Sequence, residues 1–124
     1  KQNQNAENPF EILRMATQMF GSEYNKHRER LLEKQSVIRA SPDLLARERE
    51  IDLDWQFAIA NAFSARSGNS PDGDLWARVL AGAIMGVVRS TMNFWFQRNC
   101  EDDLTQLGLD ALTYLEKGFP QLAE

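Results

Sequence analysis

Hydrophobic positions recur at helical spacing in five stretches of the chain. The first, about Pro9 to Phe20, puts Phe10, Leu13, Met15, Ala16, Met19 and Phe20 on its inner side. The second, about Ser22 to Arg39, is sparser, with Tyr24, Leu31, Leu32, Val37 and Ile38. The third, about Pro42 to Ser67, repeats Leu44, Ile51, Trp55, Ala58, Ile59 and Ala62 after a charged "ARERE" start. The fourth runs from about Pro71 to Asn99, and the fifth from about Glu101 to Lys117. No segment alternates with period two for long enough to propose a strand. The predicted fold is all-α, one domain over residues 1–124, with residues 1–7 a flexible end.

Punctuation agrees with this reading. Asn8-Pro9, Ser41-Pro42 and Ser70-Pro71 look like helix starts, because the side chain before proline can cap the first-turn amides. Glu11 stands three residues after Asn8, the spacing of a capping box. Gly21, Gly68 and Gly118 mark expected helix ends. Glu101, Asp102 and Asp103 suit the positive end of the fifth helix dipole.

The fourth stretch, "LWARVLAGAIMGVVRSTMNFWFQRN", is apolar on two faces. One face carries Trp76, Val79, Leu80, Ala83, Val87 and Phe94; the other carries Leu75, Ile84, Met85, Val88, Met92 and Trp95. Gly82 and Gly86 interrupt it, each costing about 1 kcal/mol relative to alanine, so a backbone or ligand is expected close by. The fifth stretch adds Leu104, Leu107, Gly108, Ala111, Tyr114 and Leu115. A membrane span is not expected, since Arg78 and Arg89 leave only Val79 to Val88 between them and a span needs roughly 20 apolar residues. Two structures remain open on these residues. Either the fourth helix is fully covered in a monomer, or the last two helices of two copies form a four-helix bundle. A stable dimer of that kind buries roughly 2,000 Å² or more.

Composition narrows the chemistry. The net charge of −4 makes the chain alone a poor candidate for gripping a nucleic-acid backbone, which needs a basic face. Cys100 is the only cysteine, so no internal disulfide forms, which fits a reducing, cytoplasmic setting. The lone histidine, His27, stands four residues after Glu23, and two ligands make a weak metal site. No Glu-x-x-His element exists, and no nucleophile–base pairing stands out. No enzyme activity, metal or cofactor is expected.

The order and texture of the segments resemble the C-terminal part of the TetR/AcrR transcriptional regulators. "RERLLEKQSVIRASPDLLARERE" resembles that family's mid-domain helix pair, and "FAIANAFSARSG" the end of its next helix. "LWARVLAGAIMGVVRSTMNFWF" resembles its long dimerisation helix, and "LTQLGLDALTYLEKGF" its closing helix. The likeness spans about residues 8 to 119. It implies an effector-binding and homodimerising domain whose intact parent is a repressor. The family's helix-turn-helix head is not found in these residues, so DNA contact is expected only through a domain outside this chain. A small apolar or amphipathic effector in the core would then alter DNA binding by the two heads.

Carried onto this sequence, the resemblance places the dimer interface at Trp76, Val79, Leu80, Ala83, Val87, Leu104, Leu107, Gly108, Ala111, Tyr114 and Leu115. It places the effector pocket on the inner faces of the first four helices. Expected lining residues are Met15, Met19, Phe20, Leu31, Phe57, Met85 and Met92, methionine being suited to adaptable apolar sites. Gln35, Asn61, Arg89 and Asn93 would supply polar orientation. Arg89 has two readings: a partner for a carboxylate or acyl-thioester ligand, or a structural ion pair. The alternative function is a purely structural dimerisation module with a filled core and no ligand.

Overall fold

The computed structural model describes residues 9–66, 68 and 74–119. It is all-α, with no strand among those residues: α1 (Pro9–Lys26), α2 (Arg28–Arg39), α3 (Pro42–Arg66), α4 (Leu75–Gln97) and α5 (Leu104–Glu116). They group into two compact units, one within Lys1–Glu33 and Ser90–Glu124, the other within Lys34–Arg89. Helices α2 and α4 each contribute residues to both.

In the first unit, α1 and α5 pack antiparallel at very close range. A Cβ on Gly21 would lie 2.8 Å from Thr105 Cα, and one on Gly108 would lie 2.6 Å from Thr17 Cγ2. Both glycines are therefore fixed by packing. The same pairing runs on to an Arg14–Glu116 ion pair at one end and an Asn25–Asp103 hydrogen bond of 2.9 Å at the other. Gly21 was the expected end of the first helix, but α1 continues to Lys26. The residue serves close approach and needs no turn there. His27 makes the break instead.

The turn from α4 to α5 is closed by the chain's own backbone. Asn99 and Cys100 adopt left-handed φ values of 60° and 57°. The Cys100 amide donates to Trp95 O at 2.8 Å and the Asn99 amide to Phe96 O at 2.9 Å. That is a Schellman ending, with Asn99 where glycine is commonest. Its usual apolar contact is present, because Trp95, Cys100 and Leu104 form one buried cluster. Leu31, Leu32, Met92, Phe96 and Leu107 pack around it. The Trp95 indole N–H donates to Asp102 O at 2.9 Å, so the buried ring has no orphaned donor. Helix α5 ends the same way, with Phe119 N donating to Tyr114 O at 2.8 Å and Gly118 at φ 72°.

In the second unit, Ser41 caps α3 by accepting from Leu44 N at 3.3 Å, as the Ser-Pro pair predicts. Gly68 follows the end of α3 at φ 80°, also as expected. Asp74 caps α4 by accepting from Ala77 N at 3.1 Å. The Asn8 and Ser70-Pro71 signals and the start of the fourth helix at Pro71 lie outside the described residues. The buried side of α4 is Ala77, Ala81, Ile84 and Met85. The buried side of α3 is only Ala60 and Ser64. Phe63 meets Trp76 edge to face, at 6.2 Å and 87°.

Candidate functional site

The predicted interface stripe on α4 lies on one helical face. Trp76 and Val79 are 59% and 61% exposed, and Leu80, Ala83 and Val87 are half-buried. Leu75, one turn from Val79 and next to Trp76, is exposed as well. From Leu75 to Arg89 no side chain makes a hydrogen bond or ion pair with another described residue, although the Asp74 cap accepts from the Ala77 amide. The stripe is thus apolar surface left partly uncovered by the described residues. Among the described helices α4 is long and apolar enough to cross a membrane by length and composition. Arg78 and Arg89 lie within it and are exposed.

On α5 the predicted stripe divides. Leu104 is buried in the Trp95 cluster and Leu107 packs against it. Gly108 is taken up by Thr17 of α1 in the same chain. Ala111 and Leu115 are half-buried, and Tyr114 is exposed. Leu104 and Gly108 thus already have partners within the chain, and of this stripe Tyr114 alone is exposed.

The expected pocket residues are dispersed. Within the first unit the structure brings Leu31 and Met92 together around Trp95. Met15, Met19 and Phe20 sit instead on the outer side of α1, exposed together with Ile12. The side of α1 that faces α5 carries Arg14, Thr17, Gly21 and Asn25, so that contact is made by small and polar residues; Phe10 and Leu13 are half-buried, and Ile12, Met15, Met19 and Phe20 are left out. Within the second unit Met85 is buried, Gln35 is half-buried, and Phe57, Asn61 and Arg89 are exposed. Asn93 on α4 is also exposed. Arg89 forms no ion pair with a described residue, and at the surface it needs none.

Helix α3 leaves most of its apolar residues uncovered. Leu53, Trp55 and Phe57 are all exposed, and Ile51, Asp54, Trp55 and Ala58 line an open hollow of about 380 Å³. The period-3.6 series through Ile51, Trp55 and Ala58 reads as a core face in the sequence. The structure places it outward, because Leu53 and Phe57 spread apolar surface round the helix and Ala60 and Ser64 make the close contacts.

Two side chains that hold this architecture carry no periodicity signal. Asn25 Oδ1 accepts from Leu104 N at 3.0 Å and so caps α5 from across the sequence. Asp103 is the conventional cap, accepting from Thr105 N at 3.0 Å. Arg28 steadies Asn25 by donating to its carbonyl at 3.0 Å and its side-chain oxygen at 3.3 Å. Around the same turn, the Arg98 guanidinium is held above its ordinary pKa, first by its hydrogen bond to Asp102. Burial pushes the Cys100 thiol up, and nearby Arg28 opposes that shift. His27 and Glu23 meet at 3.1 Å on an exposed face, and no group of three metal-ligating side chains exists among the described residues.

Residues 7–120 match the family described as the MftR C-terminal domain. No curated protein and no solved structure matches the chain.

Proposed function

The chain belongs to the C-terminal domains of TetR-family regulators, and from that membership we propose that it is the effector-binding and homodimerising part of a transcriptional repressor. The observation that supports dimerisation most directly is the α4 stripe, where Trp76 and Val79 stand open beside Leu75. A second copy related by a two-fold axis would lay the same stripe against itself. A bilayer is a poorer partner for α4. Arginine near the centre of a span costs about 2.5–3.5 kcal/mol, and the uninterrupted apolar run is too short. The protein is thus read as cytoplasmic, acting on DNA through a head outside this chain.

The effector is a small apolar or amphipathic molecule. Support comes from the large apolar side chains that α1 and α3 each leave uncovered: Met15, Met19 and Phe20 on one, Trp55 and Phe57 on the other. Flexible methionines and flat aromatics suit a ligand whose shape varies more than its polarity. The protein has no catalytic role in this reading. Thermal shift against a panel of apolar carboxylates, alcohols and amines tests it. A rise in melting temperature with one class is the expected result. A flat response across the panel, with dimers intact, would leave a structural dimerisation module in its place.

A further inference from the structure

The sulfur atoms of the chain fall into two groups. Met15 and Met19 are one helical turn apart on the outer side of α1, 69% and 64% exposed. Met85 is 5% exposed, Met92 is packed against the Trp95 cluster, and Cys100 lies inside that cluster. Thiols usually react first with two-electron oxidants, through the thiolate. Here the thiol is enclosed by Trp95 and Leu104 in a turn closed by two backbone hydrogen bonds. Burial also disfavours its thiolate.

We propose that Met15 and Met19 form an oxidative modification site, at which an oxidant of the hydroperoxide class converts two exposed thioethers to sulfoxides. The thioether sulfur attacks one peroxide oxygen and the O–O bond breaks. Sulfur is oxidised by two electrons, the peroxide is reduced, and the departing hydroxide (alkoxide, for an organic hydroperoxide) takes the proton of the transferred hydroxyl to leave as water (or the alcohol). A methionine sulfoxide reductase reverses the change. Each sulfoxide puts a strong dipole and a hydrogen-bond acceptor on a face that now presents Ile12, Met15, Met19 and Phe20. Apolar binding at that face falls as a result. This last consequence rests on the effector reading of α1; the order of oxidation does not.

The test treats the full chain with hydrogen peroxide and follows each methionine and Cys100 by peptide mass spectrometry. An anilinonaphthalene sulfonate dye reports apolar binding in parallel. Met15 is more than ten times as exposed as Met85 (69% against 5%), so its oxidation is expected to be roughly tenfold faster. Dye fluorescence should fall as Met15 and Met19 gain oxygen and return after reductase treatment. A double Met15→Leu, Met19→Leu variant should lose that sensitivity to peroxide. Oxidation of Met85 or Cys100 as fast as Met15 and Met19 overturns the proposal. Selective oxidation of Met15 and Met19 with dye binding unchanged leaves the modification site standing and removes α1 from the effector reading.

Discussion

Val79 offers the sharpest perturbation of the dimer. It lies at the middle of the α4 stripe, is 61% exposed, and touches no polar partner. Covering a whole valine side chain contributes about 1.5–3 kcal/mol, so covering what remains open at Val79 contributes about 1–2 kcal/mol per subunit. Val79→Ala removes most of that, about 1 kcal/mol per subunit. A two-fold interface counts each substitution twice, giving about 2 kcal/mol and a roughly 30-fold rise in the dimer Kd. Val79→Glu goes further. It leaves a carboxylate without water or a counter-charge in each subunit, at several kcal/mol each, and no dimer is expected in the micromolar range. Sedimentation velocity reads both, with the unaltered chain expected at twice 14.2 kDa. Far-UV circular dichroism at low concentration should show the same helix content in all three, since the single chain leaves Val79 in solvent. A lone 14.2 kDa particle for the unaltered chain, or a Val79→Glu dimer as tight as the original, would refute the reasoning.

Four further outcomes follow from the packing. Gly21→Ala should destabilise by more than Gly108→Ala: its new methyl meets the Thr105 backbone, whereas Thr17 can yield by giving up its 2.8 Å bond to Leu13 O, worth about 1 kcal/mol. Gly86→Ala meets nothing within 4 Å and should stabilise by up to about 1 kcal/mol, all three read by urea denaturation. Asn25→Ala removes the cap on Leu104 N and the donor to Asp103 and should cost about 1–3 kcal/mol; Asn25→Asp restores only the acceptor and should recover part of it. Since burial raises the Cys100 pKa, the folded state holds its proton longer than the unfolded one. Stability should therefore decline as pH rises past the ordinary thiol range, and Cys100→Ala should flatten that slope in pH-dependent thermal melts.

The helices and their order were legible because helix signals are local. Ser41-Pro42, Gly68 and Gly118 each act within a few residues, and each does so as its side chain or its φ requires. Gly21 was misread because the same residue answers two needs. A glycine ends a helix by turning left-handed, or admits a neighbour by lacking a Cβ, and only the position of Thr105 tells which. Asn25 was invisible for a related reason: its partner, Leu104 N, is 79 residues away, and nothing local marks it. The inward placement of Met15 and Met19 assumed that large apolar residues mark the core side. Helix α1 meets α5 through Thr17 and Gly21, where backbones approach more closely than a methionine allows. The two-faced character of α4 was legible from composition, but which face the chain covers for itself was not. Ala77, Ala81, Ile84 and Met85 won that side, leaving Trp76 and Val79 out.

The two kinds of contact in this chain suit different duties. The turn between α4 and α5 is held by directional bonds that involve Trp95, Asn25, Asp103 and, to the Glu101 carbonyl, Arg28, which fix one geometry and lose energy steeply when displaced. Among the described residues, no side chain from Leu75 to Arg89 makes a hydrogen bond or ion pair, and the Asp74 side chain accepts from the Ala77 amide at the helix start. An interface made there would be held by burial, which changes little when one helix slides or rotates by an ångström against its copy. A regulator needs two dimer arrangements close in free energy, because an effector shifts them only by its differential affinity, typically about 1–3 kcal/mol. On the proposed reading, an interface of Trp76, Val79, Leu80, Ala83 and Val87 would leave two such arrangements close in free energy. An interface fixed by charge pairs in a single register would widen the gap between them. Placing a matched Glu and Lys along the stripe should therefore tighten the dimer and weaken its response to effector together.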